Sequence, residues 1–194
     1  MPPLDIREYK SNLRANIKAG RMRLPPDEKL RLDRAVLHNL LRLREYKQCR
    51  QVLCYVSTSI EVDTKMFIGQ ALADGKQVAV PRCLVETRGM DFHYIRSLND
   101  LSPGAFSVLE PSPDLPLAEV DPHTLLIVPA LSIDQRGYRL GYGKGYYDRY
   151  MARYPGVAAG ICYSENYVPR ILHGRFDCSV GIIITEKCIT TLSK

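Results

Sequence analysis

Residues 51–83 read QVLCYVSTSIEVDTKMFIGQALADGKQVAVPRC, and this stretch decides the fold. QVLCYVS is a β-branched and aromatic run of the kind found in buried strands. EVDTKMFIGQALADGK carries a helix, with Asp63 or Thr64 available as its N-cap and Gly75 as its stop. QVAVPRC is a second apolar run. Strand, helix and strand in this order make a βαβ unit, whose two strands lie parallel because the helix carries the chain back to its starting end.

The same alternation continues on both sides. MDFHYI (90–95) alternates apolar and polar residues as a strand does, while TLLIVPAL (124–131), VAAGICYS (157–164) and SVGIIITE (179–186) are apolar almost throughout. A helix fits YYDRYMARY (146–154) between two of them. Towards the N-terminus, Leu4, Tyr9, Leu13 and Ile17 recur near helical spacing. A second helical run follows Pro25-Pro26-Asp27 with Leu30, Leu37, Leu40, Leu41 and Leu43. Continuous apolar strands interleaved with helices predict a three-layer α/β sandwich, Rossmann-like, with a mostly parallel sheet covered by helices on both faces. Residues 98–123, rich in Pro, Asp and Ser, are expected to form an irregular surface connection, and 1–194 a single domain.

With 194 residues, 45% of them apolar, the chain can bury one sizeable core. Its net charge of +6 is uneven: residues 1–50 hold 13 basic and 6 acidic side chains, and the remainder is close to neutral. An anionic partner is therefore expected to meet the N-terminal segment. Cys49, Cys54, Cys83, Cys162, Cys178 and Cys188 form no CxxC pair and read as reduced core thiols, excluding a disulfide scaffold or a zinc site. The N-terminus lacks the apolar region of a signal peptide, and no run is long enough to span a membrane, so a soluble, cytoplasmic protein is expected.

In α/β sheets of this kind, ligands bind beyond the carboxyl ends of the strands. Three positions fall there: Glu61, Arg82 and the loop GYRLGYGKGYYD (137–148). Glycines at 141, 143 and 145 remove the Cβ atoms that would hold an anion away, and let successive N–H groups turn toward one phosphate. Lys144 adds a point charge, the following helix adds its N-terminus, and Asp148 is placed to hold a Mg²⁺ that bridges phosphate oxygens. The pattern describes a nucleoside triphosphate cradle, although it matches neither the Walker loop nor GxGxxG, and a flexible Gly-Tyr turn has the same local signature. Lys10, Arg14 and Lys18 form a helical stripe with Arg21 close to it. On pattern alone a solvated basic face is the commoner outcome. Alone, Glu61 and Arg82 read as surface charges.

KSNLR (10–14), YVSTSIEVDT (55–64) and IDQRGYRLGYGKGYYDRY (133–150) occur together and in this order, and the chain resembles the 5-formyltetrahydrofolate cyclo-ligases, also called methenyltetrahydrofolate synthetases, from about residue 8 to 186. The resemblance implies an ATP- and Mg²⁺-dependent conversion of 5-formyltetrahydrofolate to 5,10-methenyltetrahydrofolate, with release of ADP and phosphate. Phosphorylation of the formyl oxygen would be followed by attack of N10. Such chemistry asks for positioning and charge neutralisation more than for a nucleophile. His38, His93, His123 and His173 are accordingly expected to be structural or exposed.

By position, the resemblance implies ATP contacts from Lys10 and Arg14 and from Arg139, Gly141, Tyr142, Gly143, Lys144, Gly145, Tyr146 and Tyr147, with Asp148 as the metal ligand. It implies folate contacts from Val56 and Glu61 and from Tyr142, Gly143, Lys144, Gly145 and Tyr146, and catalytic roles for Lys144, Tyr146 and Arg139. Glu61 suits a pterin physically, since one carboxylate accepts both the 2-amino group and the adjacent ring N–H. The cationic excess suits a glutamate or polyglutamate tail. A monomer without nucleic-acid or membrane partners is expected. Gly181 stands where some relatives carry a second acid, and Tyr142 where some carry a base. Two rival readings are a nucleic-acid binder using the basic helix, which lacks interleaved aromatics, and another phosphate-ligand enzyme on a similar sheet.

Overall fold

In the computed structural model, which describes residues 5–192, the first helical run becomes α1 (Ile6–Met22), capped by Asp5, whose side chain accepts from the Arg7 N–H. Tyr9, Leu13 and Ile17 pack against Leu131, Leu140 and Ile171, while Leu4, placed on the same stripe by its spacing, lies outside the described residues. α2 (Pro26–Arg42) opens on a proline in its first turn, where the missing N–H is not needed, and α3 (Arg44–Gln48) follows after Leu43.

β1 (Gln51–Cys54), α4 (Lys65–Ala73) and β2 (Gln77–Leu84) form the strand-helix-strand unit, and β1 pairs parallel with β2, Val52 opposite Val78. Thr64 occupies the N-cap position of α4, but its hydroxyl donates to the Tyr55 carbonyl at 2.6 Å. The Asp63 carboxylate takes over the cap by accepting from the Lys65 N–H at 3.1 Å. β3 (Gly89–Ile95) returns antiparallel to β2.

Residues 98–123 are more ordered than their composition suggests. β4 (Leu101–Pro103) and β5 (Leu109–Pro111) pair as an antiparallel hairpin, with Phe106 near its tip at φ 57°, a region that bulky side chains rarely occupy. Three-residue strands are too short to show a period. β6 (Leu125–Pro129), β7 (Ser132–Asp134), β8 (Arg139–Leu140), α5 (Tyr146–Met151) and β9 (Val157–Ile161) follow, then β10 (Tyr167–Val168), β11 (Ile182–Ile184) and β12 (Ile189–Thr191).

The main sheet has the order β12-β11-β9-β6-β1-β2-β3. Its five inner strands are parallel and both edges antiparallel. From β1 the chain winds toward β2, and from β6 toward β9 in the opposite direction, so the winding reverses between β1 and β6. Crossovers of one hand then put α4 and α5 on opposite faces. On one face Val52, Cys54, Ile127 and Ile184 pack with Val36, Leu40, Tyr46, Phe67 and Ile68 of α2, α3 and α4. On the other face Leu53, Leu126, Val128 and Ile183 meet Tyr150 and Met151 of α5 and Phe92 of β3. The sandwich is thus lopsided: three helices cover one face, and the second is covered by the six-residue α5 with the small sheet β10-β7-β8.

All six cysteines are free; Cys49, Cys54 and Cys162 are buried as expected, whereas Cys83 and Cys178 are half-buried and Cys188 is exposed. No helix among the described residues is long and apolar enough to cross a membrane.

Candidate active site

A cavity of about 490 Å³ opens where the winding reverses, at the carboxyl ends of β1, β2 and β6. Every residue assigned a site role from sequence lines it: Lys10, Arg14, Val56, Glu61, Arg139, Gly141, Tyr142, Gly143, Lys144, Gly145, Tyr146, Tyr147 and Asp148. Arg82 does not. Pro81 and Cys83 line the cavity from β2, while Arg82 between them does not; its guanidinium donates to the Pro111 carbonyl at 2.8 Å and lies 3.9 Å from Glu110 Oε2, behind the wall that Glu110 forms.

Glu61 is carried by the loop after β1 and is only 7% exposed. Its Oε2 accepts from the Thr58 N–H at 2.7 Å and the Thr58 hydroxyl at 2.8 Å; no other hydrogen bond of good geometry reaches the carboxylate among the described residues, although the Tyr142 hydroxyl lies close enough to interact with it. The carboxylate is therefore fixed through one oxygen and offers the other. Burial, and then the negative charge of Glu61, push the Tyr142 phenol well above its ordinary pKa, so it stays protonated beside the carboxylate.

The glycine loop is shaped by two positions. Gly143 at φ 92° and Gly145 at φ 72° lie in the left-handed region, whereas Gly141 does not and needs only the open space in front of it. A Cβ on Gly143 would stand 3.1 Å from the Arg14 guanidinium carbon, and Arg14 Nε donates to the Gly141 carbonyl at 2.8 Å. The bare loop thus admits a cation from α1. α5 is too short to contribute much macrodipole; what it offers is the unpaired N–H groups of its first turn.

Charge pairing separates the cavity cations. Lys10 bonds Asp177, and Arg139, 7% exposed, holds Asp148 Oδ1 at 3.2 Å while donating to the Cys178 carbonyl at 2.8 Å. Lys144 forms no ion pair among the described residues; its ammonium sits 5.4 Å from the Phe106 ring. Lys18 likewise lies 4.8 Å from the Tyr142 ring. The helical stripe Lys10-Arg14-Lys18 is therefore turned into the cavity and is not a solvated face. Asp148 Oδ1 also accepts from the Cys178 N–H at 3.1 Å, which leaves Oδ2 as its open oxygen. No group of three or more His, Cys, Asp or Glu suited to a metal occurs among the described residues.

The supporting roles of several residues, Arg21 of the basic helix among them, leave no mark in the sequence. Arg21 is buried and donates to the Ala130 and Leu131 carbonyls at 2.9 Å and to Ile60 at 3.3 Å, tying α1 to the loops after β1 and β6. Asp33, buried on α2, accepts from Lys29 at 2.6 Å, from the Asp63 N–H at 3.0 Å and from the Tyr163 hydroxyl at 2.7 Å, which fixes the loop bearing Glu61. Asp134 accepts from the N–H groups of Arg136, Tyr138 and Ile171 and sets the turn leading into the glycine loop. The hairpin β4–β5 adds Phe106, Val108 and Glu110 to the cavity wall, and Glu110 accepts from the Cys83 N–H at 3.1 Å. Among the histidines, His38 and His123 are exposed, His93 is buried against the Leu115 carbonyl, and His173 stacks on Tyr138 at 3.6 Å.

Comparison with known proteins adds an independent line. The profile of the 5-formyltetrahydrofolate cyclo-ligase family matches residues 6–186. The 5-formyltetrahydrofolate cyclo-ligase of Mus musculus is 25% identical over 203 aligned positions, covering 96% of this chain and 98% of the mouse protein. That of Saccharomyces cerevisiae is 30% identical over 70% of this chain and 75% of its own length. The solution structure of the Aquifex aeolicus 5,10-methenyltetrahydrofolate synthetase superposes with a TM-score of 0.82 at 33% identity, over 95% of this chain and 93% of the other.

Proposed function

Because the chain belongs to the 5-formyltetrahydrofolate cyclo-ligase family, we propose that the cavity at the strand ends holds a folate and a nucleoside triphosphate together, with the glycine loop between them. The activity is that of a ligase converting 5-formyltetrahydrofolate to 5,10-methenyltetrahydrofolate. The observation that carries the two-ligand reading is the shared wall: Glu61, with one free carboxylate oxygen, and Lys144, with no carboxylate partner among the described residues, line the same cavity. One is suited to the donors of a pterin and the other to the oxygens of a phosphate.

ATP is the co-substrate in this reading. Arg14, Lys144 and the N–H groups around Gly143 and Gly145 cradle its phosphates, and Lys10 and Arg139 complete a cationic wall while holding Asp177 and Asp148. The γ-phosphoryl group passes to the formyl oxygen, releasing ADP. N10 then attacks the formyl carbon and loses its proton, and the C–O bond breaks as phosphate departs. Lys144 and Tyr146 neutralise and orient the transferring group, Arg139 acts with them, and Val56 lines the apolar side of the pterin.

Asp148 fits a Mg²⁺ site of the kind in which phosphate oxygens and water supply most ligands, since it offers one open carboxylate oxygen and no larger donor cluster surrounds it. When bound, the cation neutralises phosphate charge. Gly181 does not line the cavity, so the acid that some relatives carry there has no counterpart in this wall. We read the protein as a cytoplasmic monomer acting on folates, including polyglutamylated forms, for which the cationic N-terminal segment provides attraction. With Lys10, Arg14 and Lys18 facing inward, a nucleic-acid role loses its surface.

The test is the absorbance of methenyltetrahydrofolate after mixing the protein with 5-formyltetrahydrofolate and Mg²⁺, with and without ATP. ATP-dependent growth of the band matched by ADP release is expected. ATP binding with no band would overturn the folate assignment.

A further inference from the structure

Tyr147 stands apart among the aromatic residues of the cavity. It follows the glycine loop directly and sits in the first turn of α5, yet its ring is packed against both core clusters, one on each face of the main sheet. The ring is therefore held firmly. Its hydroxyl oxygen is buried and has no hydrogen-bond partner among the described residues, while the residue itself contributes to the cavity wall. A buried phenol without a partner is destabilising, and such groups are kept where something else satisfies them. Burial above all, with the negative charge of Glu61 adding to it, holds its pKa well above the ordinary phenol value. It remains a protonated donor at neutral pH, and the residue shares the cavity wall with Glu61.

Resting on the folate reading above, we infer that the Tyr147 hydroxyl donates a hydrogen bond to the C4 carbonyl oxygen of the pterin, next to the donors taken by Glu61. The chemistry of the edge supports the pairing. A pterin presents the 2-amino group, the N3 hydrogen and the C4 oxygen in a row, two donors followed by an acceptor. Glu61 offers a free acceptor and Tyr147 a free donor. Together they read the whole edge, which a carboxylate alone cannot do. This moves Tyr147 from the ATP contacts implied by its place in the loop to the folate side of the cavity, as a specificity-determining residue.

Tyr147→Phe tests the assignment because it deletes only the hydroxyl. The folate KM should rise about 5- to 10-fold while the ATP KM stays within twofold, as expected for one neutral hydrogen bond to one ligand. The thermal midpoint should stay level or rise, since an unsatisfied buried group is removed; a structural hydroxyl would lower it. Equilibrium binding of a 4-amino-4-deoxy pteroylglutamate, which places a donor where the carbonyl oxygen stood, gives a second readout. The wild type should prefer the 4-oxo compound, and Tyr147→Phe should narrow that preference. An unchanged folate KM with an unchanged 4-oxo preference overturns the inference, as does a rise confined to the ATP KM. If the wild type itself neither binds nor converts 5-formyltetrahydrofolate, the functional reading falls and takes this contact with it.

Discussion

Glu61→Gln separates recognition from scaffolding at the centre of the proposed folate site. Glu61 Oε2 accepts both Thr58 groups, at 2.7 and 2.8 Å. A glutamine keeps both bonds by placing its carbonyl oxygen there, so the loop should hold its shape. Its amide nitrogen then takes the place of Oε1, and a donor faces the donors of the pterin. Hydrogen bonds to a charged group are worth about 1.5–3 kcal/mol, which converts to a loss of about 10- to 160-fold in kcat/KM for the folate. The thermal midpoint should shift by about 2 °C or less, because the folded state retains its internal bonds. Initial rates of methenyltetrahydrofolate formation across folate concentrations at saturating ATP, paired with scanning calorimetry, read both quantities. A kcat/KM within threefold of wild type would refute the pterin contact. Glu61→Ala, which also strands the Thr58 N–H, should reduce rate and stability together.

Lys144→Ala should lower kcat by about 100-fold while ATP binding persists, since removing one preorganised charge at a transferring group costs on that scale; equal folate-dependent ADP release by variant and wild type would contradict it. Asp33→Ala strands Lys29, the Tyr163 hydroxyl and the Asp63 N–H at once. Breaking a buried pair costs about 3–5 kcal/mol, and the lower end applies because Lys29 keeps 22% exposure. The midpoint should drop by roughly 6–12 °C, and a change of about 1 °C would be a refutation. Burial works against ionisation of Asp177, but its hydrogen bonds from Lys10 and the Gly174 N–H prevail and hold its pKa below the ordinary range. A depressed folded pKa means that its stabilisation is present above the unfolded value, near pH 4, and fades as pH falls through the folded one. The stability gap between wild type and Asp177→Asn should accordingly shrink below about pH 4; a gap constant from pH 7 to 2 in denaturant titrations would exclude this linkage.

The site was legible where chemistry is written in contiguous residues. The stretch 137–148 carries the signature of an anion loop in its glycines and lysine, and sequence spacing alone puts it and Glu61 at strand ends. Arg82 shows the limit of that rule. Sequence spacing located the end of β2, but whether residue 81, 82 or 83 faces the cavity depends on the pleat, and Pro81 and Cys83 face it. The basic stripe on α1 had two outcomes on pattern alone, and only packing of Leu13 and Ile17 against Leu131 and Leu140 turned Lys10, Arg14 and Lys18 inward. The hairpin at 101–111 left no trace, since strands of three residues have no measurable period.

By itself the sequence determined the alternation of strands and helices, the parallel character of the central sheet, and the glycine loop that lines the cavity. These are local properties: backbone propensity and periodic apolar placement act within a few turns of chain. Tertiary structure alone decided the partners. Lys10 meets Asp177 across 167 positions, Arg21 reaches carbonyls more than 100 residues away, and Asp33 joins α2 to Tyr163 130 residues later. A single polar residue buried for a distant contact leaves no periodic mark. Its role appears only when the reversal of winding between β1 and β6 brings the loops together.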